Sequence, residues 1–280
     1  MTRETLAVAS PDGAQAELIV HAADAPVLLY WLPAMGVTGR NYDRFASELA
    51  ALGIGVAAHE WRGAGSSDRR AARASDWGYR ELLDDVAAGM ATLRARHPQA
   101  RVYVGGHSLG AQLAALALAR DPRLAGLVIV ASGIPYWRSF PWWQQPILLC
   151  VFAWFRLLSA LYGYFPGRRT GFAGNEAKTV IRDWSRSGLH GRYRDAWPEG
   201  DVDRDLAALK HPLLAFHLRD DRYAPSSSFA ALLARMPNTQ LRRVDLTPAD
   251  FDDRLATHFS WMKDPRPVAR SIVEWFGREA

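Results

Sequence analysis

Cysteine is almost missing from this 280-residue chain, where Cys150 stands alone. One thiol excludes an internal disulfide, and a chain of this length can bury a large core without one. Lysine is nearly as scarce, since all but Lys178, Lys210 and Lys263 of the 34 basic residues are arginine. Those arginines are spread along the chain without a recognition motif or stacking platform, so the formal charge of +5 does not point to nucleic acid. The opening Met1-Thr2-Arg3-Glu4-Thr5 lacks the basic start and apolar run of a secretory signal, and the expected compartment is the cytoplasm. Long apolar runs are lacking too. The uncharged stretch Phe140 to Phe155 is broken by Gln144-Gln145-Pro146 and closed by Arg156. It falls short of the roughly 18 to 20 residues of a spanning helix, and no transmembrane span is expected. With no metal-ligand cluster, glycine-rich phosphate loop or dinucleotide fingerprint, neither metal nor cofactor is expected.

What is present is unevenly placed. Between Ile134 and Glu199 lie 15 of the aromatic residues, about half the total, including Trp137, Trp142, Trp143, Trp154, Trp184 and Trp197. Outside that region the periodicity is regular. Segments 4–9 and 15–20 flank Pro11-Asp12-Gly13, a hairpin signal. The continuous apolar run Pro26 to Leu32 suits a strand covered on both faces, and Asn41 to Leu52 places Tyr42, Phe45, Leu49 and Leu52 on one helical side. Strands at 53–58, 102–105 and 127–130 then alternate with helices at 79–96 and 108–120. After residue 200 the spacing predicts strands at 212–216 and 240–246 and helices at 226–235 and 268–276. Such alternation implies a parallel sheet with helices on both faces. The expected organisation is a core of residues 1–133 and 200–280, with 134–199 inserted over the carboxyl edge of the sheet.

Gly106-His107-Ser108-Leu109-Gly110 follows a strand pattern and opens an Ala/Leu-rich helix. Gly-x-Ser-x-Gly in that setting places the serine on a tight strand-to-helix turn, with the helix amino end favouring developing negative charge. A serine hydroxyl is a weak nucleophile and needs a histidine base held by a carboxylate, following it in the order Ser, Asp, His. Asp220 and Asp221 follow the 212–216 strand, and His258 is the one histidine beyond them. One of the two aspartates is expected to take the acid role and the other to cap a loop. Backbone amides of Leu109 and of Met35, in the loop after the Pro26 to Leu32 strand, are the candidate oxyanion donors.

These residues resemble the α/β-hydrolase superfamily, over about Val27 to Phe259. Glu60-Trp61-Arg62-Gly63-Ala64-Gly65-Ser66-Ser67-Asp68 is similar to the family's Asp-x-Arg-Gly-x-Gly-x-Ser segment, with Glu60 where Asp is usual. Pro33-Ala34-Met35 stands in place of His-Gly-x, and Thr257-His258-Phe259 in place of Gly-His-Phe. The family acid commonly lies four residues before a proline, which selects Asp221 ahead of Pro225. Leu32 to Val37, together with Gly163 to Arg169 and the Asp220-Asp221 loop, resembles more narrowly a bacterial group of predicted hydrolases near the serine aminopeptidase-like and monoglyceride-lipase-like branch. The resemblance implies a mostly parallel sheet, helices on both faces and an inserted helical lid.

The expected function is hydrolysis of a carboxylic ester, or of a thioester or amide, by Ser108, His258 and Asp221. The aromatic insertion suggests a small-molecule substrate with an apolar acyl or alkyl group, with Trp142 and Trp143 as candidate pocket residues. An acyltransferase would use the same triad. A proline-directed aminopeptidase would need an acidic site for the substrate amine, for which the insertion offers Glu176 and Asp183. A non-catalytic binding module on the same scaffold is the reading from another class.

Overall fold

The computed structural model describes residues 2–196 and 200–279. Its first half runs β1 (Arg3–Ala9), β2 (Gln15–His21), β3 (Val27–Leu32), α1 (Asp43–Ala51), β4 (Gly55–Ala58), α2 (Tyr79–Arg96), β5 (Arg101–His107), α3 (Leu109–Arg120) and β6 (Leu127–Val130). Then come α4 (Gln145–Tyr162), β7 (Tyr164–Pro166), α5 (Gly167–Thr170), β8 (Asn175–Ala177) and α6 (Lys178–His190). The chain closes with α7 (Val202–Ala207), β9 (Pro212–Leu218), α8 (Ser226–Leu233), β10 (Gln240–Leu246) and α9 (Arg266–Glu279).

Eight strands form one sheet in the order β1-β2-β4-β3-β5-β6-β9-β10. From β4 to β10 every pairing is parallel, and β1 and β2 extend that edge antiparallel. The unbroken apolar run of β3 reflects a strand packed on both faces. Leu28, Tyr30 and Leu32 enter the core beneath α2 and α3, while Leu29 and Trp31 enter the core beneath α1 and α9. Each such side chain, fully buried, contributes about 1.5–3 kcal/mol. β3 leads to β4 on one side while its neighbour β5 leads to β6 on the other, so connections leave the two carboxyl ends in opposite directions. That reversal opens the crevice in which α/β sheets seat their ligands.

The expected first hairpin forms, with Ala9 pairing Gln15 across a loop in which Ser10 N–H bonds Ala14 C=O at 2.8 Å. Gly13 supplies the left-handed conformation there, at φ 82°. Asp12 accepts the Ala14 amide within the loop at 3.1 Å and is also bound by Arg62, whose guanidinium grips Asp85 at 2.6 Å.

Helices α4 and α6 and the small antiparallel pair β7–β8 occupy the connection between β6 and β9. Trp197, counted among the aromatics of this region, lies outside the described residues. The base of the insertion is tied to the core by carboxylates. Asp76 accepts the Thr179 amide and hydroxyl at 2.8 and 2.7 Å, and Asp183 accepts the Tyr79 amide at the start of α2 at 3.0 Å. At the carboxyl end of α4, Arg73 donates to Leu161 C=O at 2.6 Å. At the amino end, Gln144 Nε2 reaches Arg222 C=O at 3.4 Å. α4 corrects the apolar-run estimate. Its 18 residues begin after the Gln144 break and continue through Arg156, and by length and composition they suffice to cross a membrane. One face of the helix nevertheless packs inward through Phe152, Phe155 and Leu158.

Candidate active site

β5 ends in the segment that carries Ser108, and α3 begins one residue later. Ser108 sits at φ 55°, ψ −122°, a conformation held in place by its surroundings. The flanking glycines are required by contact. A Cβ on Gly106 would lie 2.5 Å from Gly110 C, and one on Gly110 would lie 2.1 Å from Leu32 C=O. Strand and helix can pass this closely only without those side chains. The Ser108 carbonyl is held from below by the Ser132 hydroxyl at 2.7 Å.

The carboxyl end of β9 carries both aspartates, and they divide the work. Asp221 Oδ2 lies 2.7 Å from His258 Nδ1. Its other oxygen accepts the amides of Tyr223 and Ala224 at 2.8 and 3.0 Å. Asp220 instead accepts the Ala256 amide at 3.0 Å and so holds the loop that presents His258. The Asp221 and His258 side chains are buried, and Tyr223 packs its ring 5.1 Å from that of His258.

Ser108, His258, Met35 and Leu109 line one cavity of about 590 Å³, within the size range of small-molecule sites. Its wall is mostly apolar. The core contributes Tyr223 and Phe259, and the insertion contributes Phe140, Trp143, Leu148 and Phe155. Of the two tryptophans expected there, Trp143 lines the cavity, whereas Trp142 is 81% exposed and stands outside it. Among the described residues, neither the Met35 nor the Leu109 amide has a protein acceptor, which leaves both free to bind an anion in the cavity.

Tyr42 was legible only as an apolar residue on the face of α1, yet its hydroxyl links two parts of the site. It accepts the Ala34 amide at 3.0 Å and donates to His107 Nδ1 at 2.8 Å. The loop that offers Met35 is thereby joined to the residue before Ser108. His107 itself is enclosed by Tyr42, His258, Phe259 and Trp261. Burial pushes its pKa well below the ordinary range, with His258 adding to the effect, so it is neutral and faces away from the cavity. No periodicity signals a hydroxyl of this kind, because its partners come from the loop after β3 and from the end of β5.

Neither insertion carboxylate lines the cavity. Asp183 is engaged with the amino end of α2. Glu176 faces a separate space of about 120 Å³ behind Met35 and Leu109, where burial raises its carboxyl to about 7. Among the described residues, no group of three His, Cys, Asp or Glu side chains is placed to hold a metal ion.

Residues 27–181 match the family described as "Serine aminopeptidase, S33". A stretch of 92 residues is 32% identical to the monoglyceride lipase homolog of Monkeypox virus, covering 33% of this chain and 33% of that protein, so the match spans about a third of that relative's length. Among solved structures, an esterase of Pyrococcus furiosus superposes with a TM-score of 0.62 at 16% identity, covering 99% of this chain and 90% of its own. A hydrolase from Pseudomonas aeruginosa gives 0.60 at 20% identity, with 98% of each chain covered. An α/β hydrolase from Penicillium gives 0.63 at 16% identity, covering 100% of this chain and 99% of its own. At these identities the structural likeness speaks for the fold. With the matched segment spanning more than half of the sequence, the chain belongs to the serine aminopeptidase S33 family of the α/β-hydrolase superfamily.

Proposed function

We propose that the chain is a serine hydrolase that cleaves a carboxylic ester bearing an apolar acyl or alkyl group, with residues 134–199 serving as its lid. The observation that carries this reading is the Asp221–His258 pair, 2.7 Å apart, on the same mostly apolar cavity as Ser108 and two unpaired amides. In this mechanism His258 Nε2 takes the proton of the Ser108 hydroxyl as the oxygen attacks the ester carbonyl. Asp221 holds the imidazole with Nδ1–H toward itself and stabilises the imidazolium that forms. The carbonyl oxygen gains negative charge and is met by the amides of Met35 and Leu109, reinforced by the amino end of α3. Collapse of the tetrahedral adduct breaks the ester C–O bond, and His258 returns its proton to the departing alcohol. Water, deprotonated by the same histidine, then releases the acid and regenerates Ser108.

An ester with an apolar group fits this cavity better than a peptide amino terminus. A protonated amine needs a carboxylate within reach, and both Glu176 and Asp183 lie off the cavity lining. The test is labelling by a fluorophosphonate probe, followed by turnover of esters of increasing chain length. Wild type is expected to label and turn over, and Ser108→Ala to do neither. Folded wild type that fails to label overturns the serine mechanism. Trp143→Ala is expected to shift the preferred chain length, and Trp142→Ala to leave it unchanged.

A further inference from the structure

The outer face of α4 has no partner. Pro146, Ile147, Cys150, Ala153, Trp154, Arg156, Leu157, Ala160, Leu161 and Tyr162 are all exposed, and a single arginine is the only charge among them. Ile147, Cys150, Trp154, Leu157 and Leu161 follow each other at alternating steps of three and four, which places them in one stripe along the helix. Trp154 and Leu161 are 53% and 60% exposed. Soluble monomers rarely leave so continuous an apolar surface uncovered.

Two further observations say what covers it. The first is charge. Between Asp121 and Glu176 the sequence contains no aspartate or glutamate, while α4 and the segments flanking it contain Arg138, Arg156, Arg168 and Arg169. A segment that is apolar on its exposed side, basic and without carboxylates of its own complements a surface that is apolar below and anionic above. The second is position. Trp143, Ile147, Tyr223 and Phe259 line the cavity and are themselves exposed, so the cavity opens beside the amino end of the same stripe.

We infer that the outer face of α4 docks on the surface of a lipid bilayer carrying anionic phospholipid. The helix lies in the plane of the interface. Its inner residues Phe152, Phe155 and Leu158 stay packed on the protein, so a spanning orientation would require this packing to be undone. The stripe enters the boundary between headgroups and acyl chains, Arg156 and Arg169 meet phosphates, and the cavity mouth is brought to the lipid. This inference extends the proposed activity but does not depend on it, since binding is measured without turnover.

The experiment is flotation of the full chain with vesicles of phosphatidylcholine alone or mixed with phosphatidylglycerol, at low and high salt. Wild type is expected to float with the mixed vesicles and to be released by salt. Replacing Trp154 and Leu157 by Ser is expected to lower partitioning about ten-fold or more. Each of Arg156→Glu and Arg169→Glu is expected to lower it about five-fold or more. All four positions lie outside the cavity, so melting temperatures should stay near that of wild type and confirm folded variants. Failure of wild type to bind either vesicle, or binding unchanged in the folded variants, overturns the inference. Equal binding to neutral vesicles overturns the anionic specificity. A wild-type dimer that the Trp154 and Leu157 substitutions dissociate, without vesicle binding, assigns the face to a second copy instead and also overturns it.

Discussion

Replacing Asp221 by Asn changes one atom of the side chain, and the structure determines where the new atom goes. Asp221 Oδ1 accepts two amides, from Tyr223 and Ala224. An asparagine must keep its carbonyl oxygen there or leave both amides facing an N–H. Its NH₂ group is therefore forced into the Oδ2 position, 2.7 Å from His258 Nδ1. A donor at that point stabilises the imidazole tautomer with Nδ1 bare and the proton on Nε2. That tautomer cannot accept a proton from Ser108, and the carboxylate charge that supports the imidazolium is gone. The expected loss is about 10³ to 10⁴-fold in kcat, equivalent to about 4–5.5 kcal/mol, with KM little changed. Stability should fall by only about 1 kcal/mol, since the two amide bonds survive. Steady-state hydrolysis of a short soluble ester and denaturant unfolding measure the two quantities separately. Asp220→Asn is the control, because its side chain can rotate to keep an oxygen on the Ala256 amide and should hold kcat within about three-fold. An Asp221→Asn enzyme within ten-fold of wild type would refute the assignment of this pair to the reaction.

Other outcomes follow from the same geometry. Tyr42→Phe strips the Ala34 amide of its acceptor and His107 of its donor, so unfolding free energy should drop by about 2–4 kcal/mol. Because Ala34 precedes Met35, kcat should fall about ten-fold while KM moves less, and an unchanged kcat would sever Tyr42 from the oxyanion loop. Gly110→Ala drives a methyl into the Leu32 carbonyl and should cost about 3 kcal/mol or more, read as a lowered melting temperature. Glu176 carries a folded-state pKa of about 7 against an ordinary 4.5. Between those values the folded chain keeps a proton that the unfolded chain has lost, so this group lets stability fall as pH rises through that window. Glu176→Gln should remove that slope, gaining on wild type by up to about 3 kcal/mol between pH 4.5 and 7. Parallel stability curves for the two proteins would contradict the burial argument.

How far the sequence could be read depended on the range of the interactions. The bounds of α2 and β10 follow from periodicity alone, because their buried faces repeat at 3.6 and 2 residues. Ser108, the aspartate pair and His258 were legible because the elbow needs glycines at fixed spacing and the other residues must end later strands. Beyond that, local patterns ran out. Asp12 reads as a turn residue and is one, but its second role as a partner of Arg62, 50 positions away, carries no local signal. Leu52 fits the apolar face of α1 but falls at its end and is exposed. The choice between Asp220 and Asp221 needed either a family pattern or coordinates, since adjacent side chains leave a strand end in different directions and composition does not report direction. The roles proposed for Met35 and Leu109 rest on backbone amides, which leave no mark in a sequence.

The uneven attachment of this segment gives the proposed lid a fixed end and a looser edge. α6 is fastened to the core by Asp76 and Asp183, and α4 is fastened at its far end by Arg73, whereas Gln144 makes one long bond at 3.4 Å beside the cavity mouth. A helix of 18 residues is a lever of about 27 Å. Turning it by roughly 10° about the Arg73 end carries Trp143 through about 5 Å, the width of an alkyl chain, while the hinge hardly moves. Movement of the proposed lid's edge would bear on the seam between Gln144 and Arg222, whose carbonyl shares a peptide unit with the Tyr223 amide that Asp221 accepts.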